Sequence, residues 1–330
     1  ADAMNEGAEG AIRTFTEQFH VPVITTYKAK GMLAEDHPLS LGGAGLSPLA
    51  DRTLVPFVQA ADLILCVGYD PIEMRPGWRN VWHPDQQRVI DITAAPNHHY
   101  MHQASLNFIA HSGATLAALG AGIEGRRTWQ GGEVEKAKEA LATAFPTDED
   151  WGPAAVMDTC RRVLPQGTLA SADSGAHRIL LSQMWTCDAP RALMQSSALC
   201  TMGCAVPMAI GAKLASPDRP VISFSGDAGF LMVAGELATA AELETPVIFL
   251  VFVDGSLALI EKKQRERQLK TAGVDFGRHD YAAMGRAFGG NGVSVRDRAG
   301  LEKALKEAME ADRFTLIAAE IDAEAYDGRL

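Results

Sequence analysis

Two short, almost wholly apolar runs, residues 220–224 and 247–253, each stop abruptly in a turn of small and acidic residues, and this pair constrains the chain most. The first ends in Ser225-Gly226-Asp227-Ala228-Gly229 and the second in Asp254-Gly255-Ser256. Runs this short and rich in Val, Ile and Phe read as strands covered on both faces, the form strands take inside parallel sheets. Parallel neighbours need a crossover, and residues 229–243 carry a helical pattern to supply it. The two carboxyl ends then lie side by side, bringing Asp227 and Asp254 to the edge where open α/β sheets bind ligands.

The same alternation runs along the chain. Strands are predicted at 21–25, 63–67, 88–92, 168–172, 194–197, 220–224, 247–253 and 314–320. Helices are predicted at 9–19, 48–61, 206–215, 229–243, 280–288 and 300–312. With 330 residues there is room for two domains, each with its own core. Residues 128–152 are rich in Glu and Lys, then carry Pro146, Asp148, Glu149 and Asp150, and read as a helical linker on the surface. The expected fold is therefore α/β: two doubly wound parallel-sheet domains, 1–127 and 153–330. The first domain opens on a helical stretch instead of a strand, so it is expected to lack its first strand and the chain to be a truncated one.

Composition narrows the partners. Thirty Lys+Arg against 41 Asp+Glu give a net charge of −11, which argues against nucleic acid and anionic membranes but leaves room for a local site for one phosphorylated small molecule. No apolar stretch approaches the ~20 residues of a membrane-spanning helix. Cys66, Cys160, Cys187, Cys200 and Cys204 are odd in number and scattered, and read as buried thiols in a reducing, cytoplasmic setting.

At the two strand ends, small residues let backbone N–H groups approach an anion at a helix start, and each Asp offers a hard oxygen to a cation. Carboxylates, a backbone carbonyl and phosphate oxygens make up a Mg²⁺ shell, so the residues point to a Mg²⁺–diphosphate site. The same acids would serve as helix or turn caps, and that reading stays open here. His98, His99 and His102 have a spacing compatible with a metal, but no close Cys or carboxylate joins them, and they read as solvated turn residues. Gly42-Gly43-Ala44-Gly45 does not follow a predicted strand into a helix, so no dinucleotide fingerprint is expected there. Residues 261–267 read as a solvated helical face, with a substrate entrance as the alternative.

Gly226-Asp227-Ala228 and Asp254-Gly255-Ser256, with Asp254 placed 27 positions after Asp227, resemble the cofactor signature of thiamine-diphosphate enzymes that act on 2-oxo acids, the decarboxylases, pyruvate oxidases and acetolactate synthases. Their signature is Gly-Asp-Gly followed at this spacing by Asn-Asn. Here Ala228 replaces the last Gly and Val253-Asp254 the Asn pair, and Asp254 keeps a metal-competent oxygen. Asp173-Ser174-Gly175-Ala176-His177 is similar to the segment that holds the cofactor diphosphate. Leu199-Cys200-Thr201-Met202-Gly203-Cys204 resembles the loop beneath the cofactor. Lys30-Gly31-Met32-Leu33-Ala34-Glu35-Asp36-His37-Pro38 and Val67-Gly68-Tyr69-Asp70-Pro71-Ile72-Glu73 are similar to the family's central domain. The second phrase, together with Val274-Asp275-Phe276-Gly277, lies nearest the catabolic, flavin-independent acetolactate synthases.

The resemblance implies a Rossmann-like central domain and a thiamine-diphosphate-binding domain, with thiamine diphosphate and Mg²⁺ as cofactors. FAD is not predicted, because the Arg-bearing phrase of flavin-containing relatives is missing after Val67-Gly68. Asp227, Asp254 and the Ser256 carbonyl would hold the metal. Ser174, Ala176, His177, Ala228 and Gly229 would hold the diphosphate. Met202, 25 positions before Asp227, would bend the cofactor, and the backbone carbonyl of Cys200, a position usually held by Gly, would accept from its aminopyrimidine. The implied reaction is decarboxylation of a pyruvate-like 2-oxo acid with carboligation, in a homodimer or higher homo-oligomer. A simple decarboxylase, a diketone lyase or hydrolase, and a non-catalytic two-domain subunit are the alternatives. An unrelated nucleotide-binding α/β protein is a further one. The family's N-terminal pyrimidine-binding domain, whose Glu activates the cofactor in the partner subunit's site, has no counterpart in these residues.

Overall fold

Strand and helix patterns are realised as parallel sheets in both halves of the chain. The structure is a computed structural model and describes residues 2–72, 74–96, 101–196 and 199–330. It divides into two compact units, Ala1–Ala144 with Thr186–Arg191, and Phe145–Trp185 with Ala192–Leu330.

The first unit runs α1 (Asp2–Asn5), α2 (Glu9–Phe19), β1 (Val23–Thr26), β2 (Ser40–Ala44), α3 (Pro48–Gln59), β3 (Leu63–Val67), β4 (Arg88–Thr93), β5 (Leu106–Ile109), α4 (Ser112–Gly120) and α5 (Glu133–Ala144). Helix α3 starts where Ser47 Oγ accepts from Ala50 N at 3.2 Å, with Pro48 in the first turn. Strand β1 pairs with β2, and β3-β4-β5 form a second parallel sheet. The inner edges of β1 and β3 have no partner strand among the described residues. Their carboxyl ends approach each other, since Lys28 Nζ donates to the Ile72 carbonyl at 3.0 Å and lies 3.7 Å from Asp70. The unit's five strands thus lie in two parallel sheets, β1-β2 and β3-β4-β5. Strand β3 has the all-apolar sequence of an interior strand but buries only Cys66 fully.

Strand β2 corrects the reading of the glycine cluster. Gly42 and Gly43 lie within a strand that passes through Gly45 to α3, so the cluster does sit at a strand-to-helix junction. The segment 128–152 carries α5, which buries Val134 and Ala137 and packs on α3 and β2 as part of this unit. Lys30 and Glu35 form a buried ion pair at 2.6 Å, and Glu35 Oε2 accepts from Cys187 N, which fastens the excursion Thr186–Arg191 to the unit. His98 and His99, with Glu73, Ser197 and Ala198, lie outside the described residues. His102 Nε2 is 3.3 Å from the Tyr69 hydroxyl, and its ring packs on Trp82.

The second unit runs α6 (Pro153–Val163), β6 (Leu169–Ala172), α7 (Ala176–Met184), β7 (Leu193–Gln195), α8 (Ala205–Ala215), β8 (Val221–Gly226), α9 (Asp227–Leu231), α10 (Glu236–Glu242), β9 (Ile248–Val253), α11 (Ala258–Glu266), α12 (Tyr281–Ala287), β10 (Asn291–Val295), α13 (Arg298–Met309) and β11 (Thr315–Glu320). Its six strands form one parallel sheet in the order β10-β11-β9-β8-β6-β7. Strand β9 is buried along its whole length, as its unbroken apolar sequence requires. From β6 the chain winds first to β7 on one side and then to β8 on the other, so the topological switch point lies between β6 and β8. The single helix predicted over 229–243 is two, α9 and α10. Between them Val233 turns against the loop at Gly203, where a Cβ would stand 3.0 Å from Val233 Cγ1.

Candidate functional site at the switch point

The carboxyl ends of β6, β8 and β9 and the loop before α8 surround one cavity of about 230 Å³. Ser174, Ala176 and His177 come from the first of these, Cys200 and Met202 from the loop, Asp227, Ala228 and Gly229 from β8–α9, and Asp254 and Ser256 from beyond β9. All ten residues singled out from the sequence thus line the same space. A larger groove of about 450 Å³ between β10 and α13 contains none of them.

Asp173 organises the floor. It is fully buried at the end of β6; Oδ1 lies 2.8 Å from His177 Nε2, and Oδ2 accepts from Gly203 N at 2.8 Å. The imidazole therefore donates from Nε2 and turns Nδ1 toward Gly175 and Gly226. Gly229 has to lack a side chain, because a Cβ there would stand 2.3 Å from Asp173 Oδ2. Arg178 Nη1 donates to Ser174 Oγ at 3.1 Å, and Ser174 Oγ donates to the Cys200 carbonyl. That carbonyl, expected to face the aminopyrimidine, thus has an internal partner in this structure. Cys200 itself is held at φ +49°, the left-handed region that glycine occupies without strain. Cys66, Cys160 and Cys187 are buried as predicted, whereas Cys200 and Cys204 are only half-buried because their loop borders the cavity.

The two aspartates face each other from adjacent strand ends. Asp227 Oδ1 accepts from Ala228 N at 2.8 Å, and Oδ2 accepts from Asp254 N at 3.1 Å and Gly255 N at 2.7 Å. Asp254 Oδ1 accepts from Ser256 N at 2.9 Å. The segment after α11 steadies this turn: Leu257 N donates to Val274 O at 2.8 Å and Phe276 N to Gly255 O at 3.1 Å. Neither aspartate has an ion-pair partner among the described residues. Burial, reinforced by the charge of Asp227, pushes the Asp254 carboxyl up to about 7. Burial also raises Asp227, against the pull of its backbone N–H donors. Ser256 Oγ, which lines the cavity, and the Tyr281 hydroxyl are buried without a hydrogen-bond partner.

Two buried carboxylates without an ion-pair partner, with the orphaned Ser256 hydroxyl beside them in the cavity, suit a hydrated divalent cation. Among the described residues no group of three His, Cys, Asp or Glu side chains is placed to hold a metal, so backbone and ligand oxygens would have to complete the shell. The charge conflict has a testable consequence. In metal-free protein at pH 8, Asp254→Asn raises the melting temperature by about 2–6 °C, equivalent to roughly 1–2 kcal/mol. A carboxyl at about 7 when folded and near 4 when unfolded destabilises the fold progressively as pH rises between those values. The gain is full above pH 7 and gone by about pH 4, which melts over that range in chelator will read.

Sequence reasoning missed Asp173 as an anchor, although it stands four positions before His177. It also missed Arg178, the cavity-lining first turn of α11 and Tyr326 from the C-terminal segment. Of residues 261–267, Arg265 pairs with Glu261 and Asp327.

Residues 173–319 match the family described as "Thiamine pyrophosphate enzyme, C-terminal TPP binding domain", and residues 1–119 match "Thiamine pyrophosphate enzyme, central domain". An acetolactate synthase of Bacillus subtilis is 28% identical over 332 residues, covering 94% of this chain and 56% of the relative. A catabolic acetolactate synthase of Raoultella terrigena is 28% identical over 274 residues, covering 80% of this chain and 48% of the relative. The chain spans about half the length of these curated relatives. The crystal structure of benzoylformate decarboxylase from Polynucleobacter necessarius superposes with a TM-score of 0.78 at 20% identity, covering 98% of this chain and 60% of that one, and shares the fold.

Proposed function

Since the chain belongs to the thiamine pyrophosphate enzymes, carrying their central domain and their C-terminal TPP-binding domain, we propose that it serves an acetolactate synthase-like reaction. In that reaction a pyruvate-like 2-oxo acid is decarboxylated and the remaining carbanion equivalent is joined to a second carbonyl compound. The observation that carries this reading is the pair of buried, unpaired carboxylates, Asp227 and Asp254, in one cavity with His177 at the switch point.

Asp227, Asp254 and the Ser256 carbonyl would hold Mg²⁺. Ser174, Ala176, Ala228 and Gly229 would present backbone to the diphosphate, and His177 its ring. Met202 would shape the cofactor from the loop before α8, with the Cys200 carbonyl beside it. When bound, thiamine diphosphate supplies the electron sink for the carbanion that decarboxylation leaves. The protein's part is to fix the diphosphate, bend the cofactor and keep water from the reacting centre.

In this reading the first unit is the central domain, over 1–127, with its first strand supplied between β1 and β3. A linker follows at 128–152, and 153–330 is the cofactor domain. The catalytic Glu comes from a pyrimidine-binding domain outside these residues, in a cytoplasmic homodimer or higher homo-oligomer without FAD. No described helix is long and apolar enough to cross a membrane. Product analysis of the polypeptide as encoded, with pyruvate, thiamine diphosphate and Mg²⁺, tests the reading. Acetolactate is the expected product. Acetaldehyde alone would make the protein a simple decarboxylase, and neither product would exclude pyruvate as the donor.

A further inference from the structure

The segment after β11 has no part in the reading above, yet it reaches the same cavity. Ile321 N still donates to Val253 O at 3.1 Å, and the chain then folds through successive turns: Ala325 N to Asp322 O at 3.2 Å, Asp327 N to Glu324 O at 2.9 Å and Arg329 N to Tyr326 O at 3.2 Å. Asp322 Oδ1 accepts from Glu324 N at 2.8 Å and closes the first of them. Two ion pairs fasten the strap. Asp327 meets the Arg265 guanidinium of α11 in a fork, at 2.8 and 3.0 Å, with Lys262 at 3.5 Å. Arg329 pairs with Glu149, whose Oε1 accepts from Ala155 N in the first turn of α6.

Tyr326 lies between these fastenings, 3% exposed, and lines the cavity with Asp227, Asp254 and Ser256. Its hydroxyl has no hydrogen bond among the described residues. Burial and the two aspartates oppose its ionisation, so it remains a neutral O–H. A phenol in a cavity wall with no protein acceptor keeps its O–H available to an atom bound in the cavity. The carboxylates are engaged by backbone N–H groups and directed at a cation. An anion bound beside them needs donors, and the phenol is one.

We propose that Tyr326 is a binding residue of this site, donating its phenolic O–H to a diphosphate oxygen of the cofactor, with the C-terminal strap as the fixture that aims it. The inference rests on the thiamine-diphosphate reading. Its test is calorimetric titration of the full chain with inorganic pyrophosphate in saturating Mg²⁺, and separately with Mn²⁺ alone. Tyr326→Phe, nearly isosteric, weakens pyrophosphate binding about 5- to 30-fold and leaves Mn²⁺ binding unchanged. Asp327→Asn keeps the phenol but loosens its anchor, and weakens pyrophosphate binding by a smaller factor. Equal pyrophosphate affinity in Tyr326→Phe and the unsubstituted chain overturns the proposal. Equal weakening of Mn²⁺ alone overturns it too, by assigning the phenol to the metal's shell. If the unsubstituted chain binds neither probe, the thiamine-diphosphate reading itself fails.

Discussion

Asp227→Ala abolishes Mg²⁺-dependent binding of thiamine diphosphate, lowering affinity more than roughly 100-fold in a calorimetric titration with and without the metal. The size of the loss follows from the position of the carboxylate. Asp227 is 2% exposed at the end of β8, one strand from Asp254, and its Oδ2 holds the Asp254 and Gly255 amides that set the second turn. Alanine removes a hard oxygen from the cation and releases the loop that presents the other carboxylate, so both protein anions of the shell are affected. A diphosphate without its cation would then face the buried Asp254, a like-charge contact that low-dielectric surroundings make severe. The fold survives, because relief of repulsion with Asp254 offsets the lost acceptor, and a melting temperature within a few degrees of the unsubstituted chain checks this. Binding that persists in Asp227→Ala would remove this carboxylate from the metal site.

How far the molecule could be read from its sequence differs between elements for identifiable reasons. Strands β3 and β9 are continuous apolar runs, and their predicted ends agree with the structure to within a residue. Strands β2 and β10 carry glycines that read as loop, but the glycines answer to packing that no periodicity encodes. Gly42, at φ +75°, absorbs the register slip between the pairs Val23–Ser40 and Thr25–Gly43. At Gly292 a Cβ would stand 1.9 Å from the Ala282 carbonyl, so β10 needs glycine for α12 to lie against it. The site was legible where chemistry coincides with a strand end, as at Asp227 and Asp254. Asp173 and Tyr326 were not, since each acts through a contact made by folding: one with an imidazole and a distant amide, the other through a strap that turns back over the sheet.

Asp173→Ala is expected to have the largest effect on stability. The carboxylate has no exposed surface and satisfies two buried donors from separate elements, His177 Nε2 of α7 and Gly203 N in the loop before α8, each at 2.8 Å. Truncation leaves both donors unpaired and opens a polar void between β6 and α9 that Gly229 cannot fill. Each orphaned donor costs about 1–3 kcal/mol, so the second unit loses roughly 3–5 kcal/mol and its melting transition falls by about 6–15 °C. Asp173→Asn separates the two contacts, because its one carbonyl oxygen can serve a single donor while its amide meets the other. It should recover less than half the loss. In the bound state the same substitutions free the imidazole to turn Nδ1 away from Gly175 and Gly226, so affinity for thiamine diphosphate falls in Asp173→Asn at temperatures well below its melting transition. Loss of stability without loss of affinity there would leave Asp173 a packing residue and remove the imidazole from the diphosphate site.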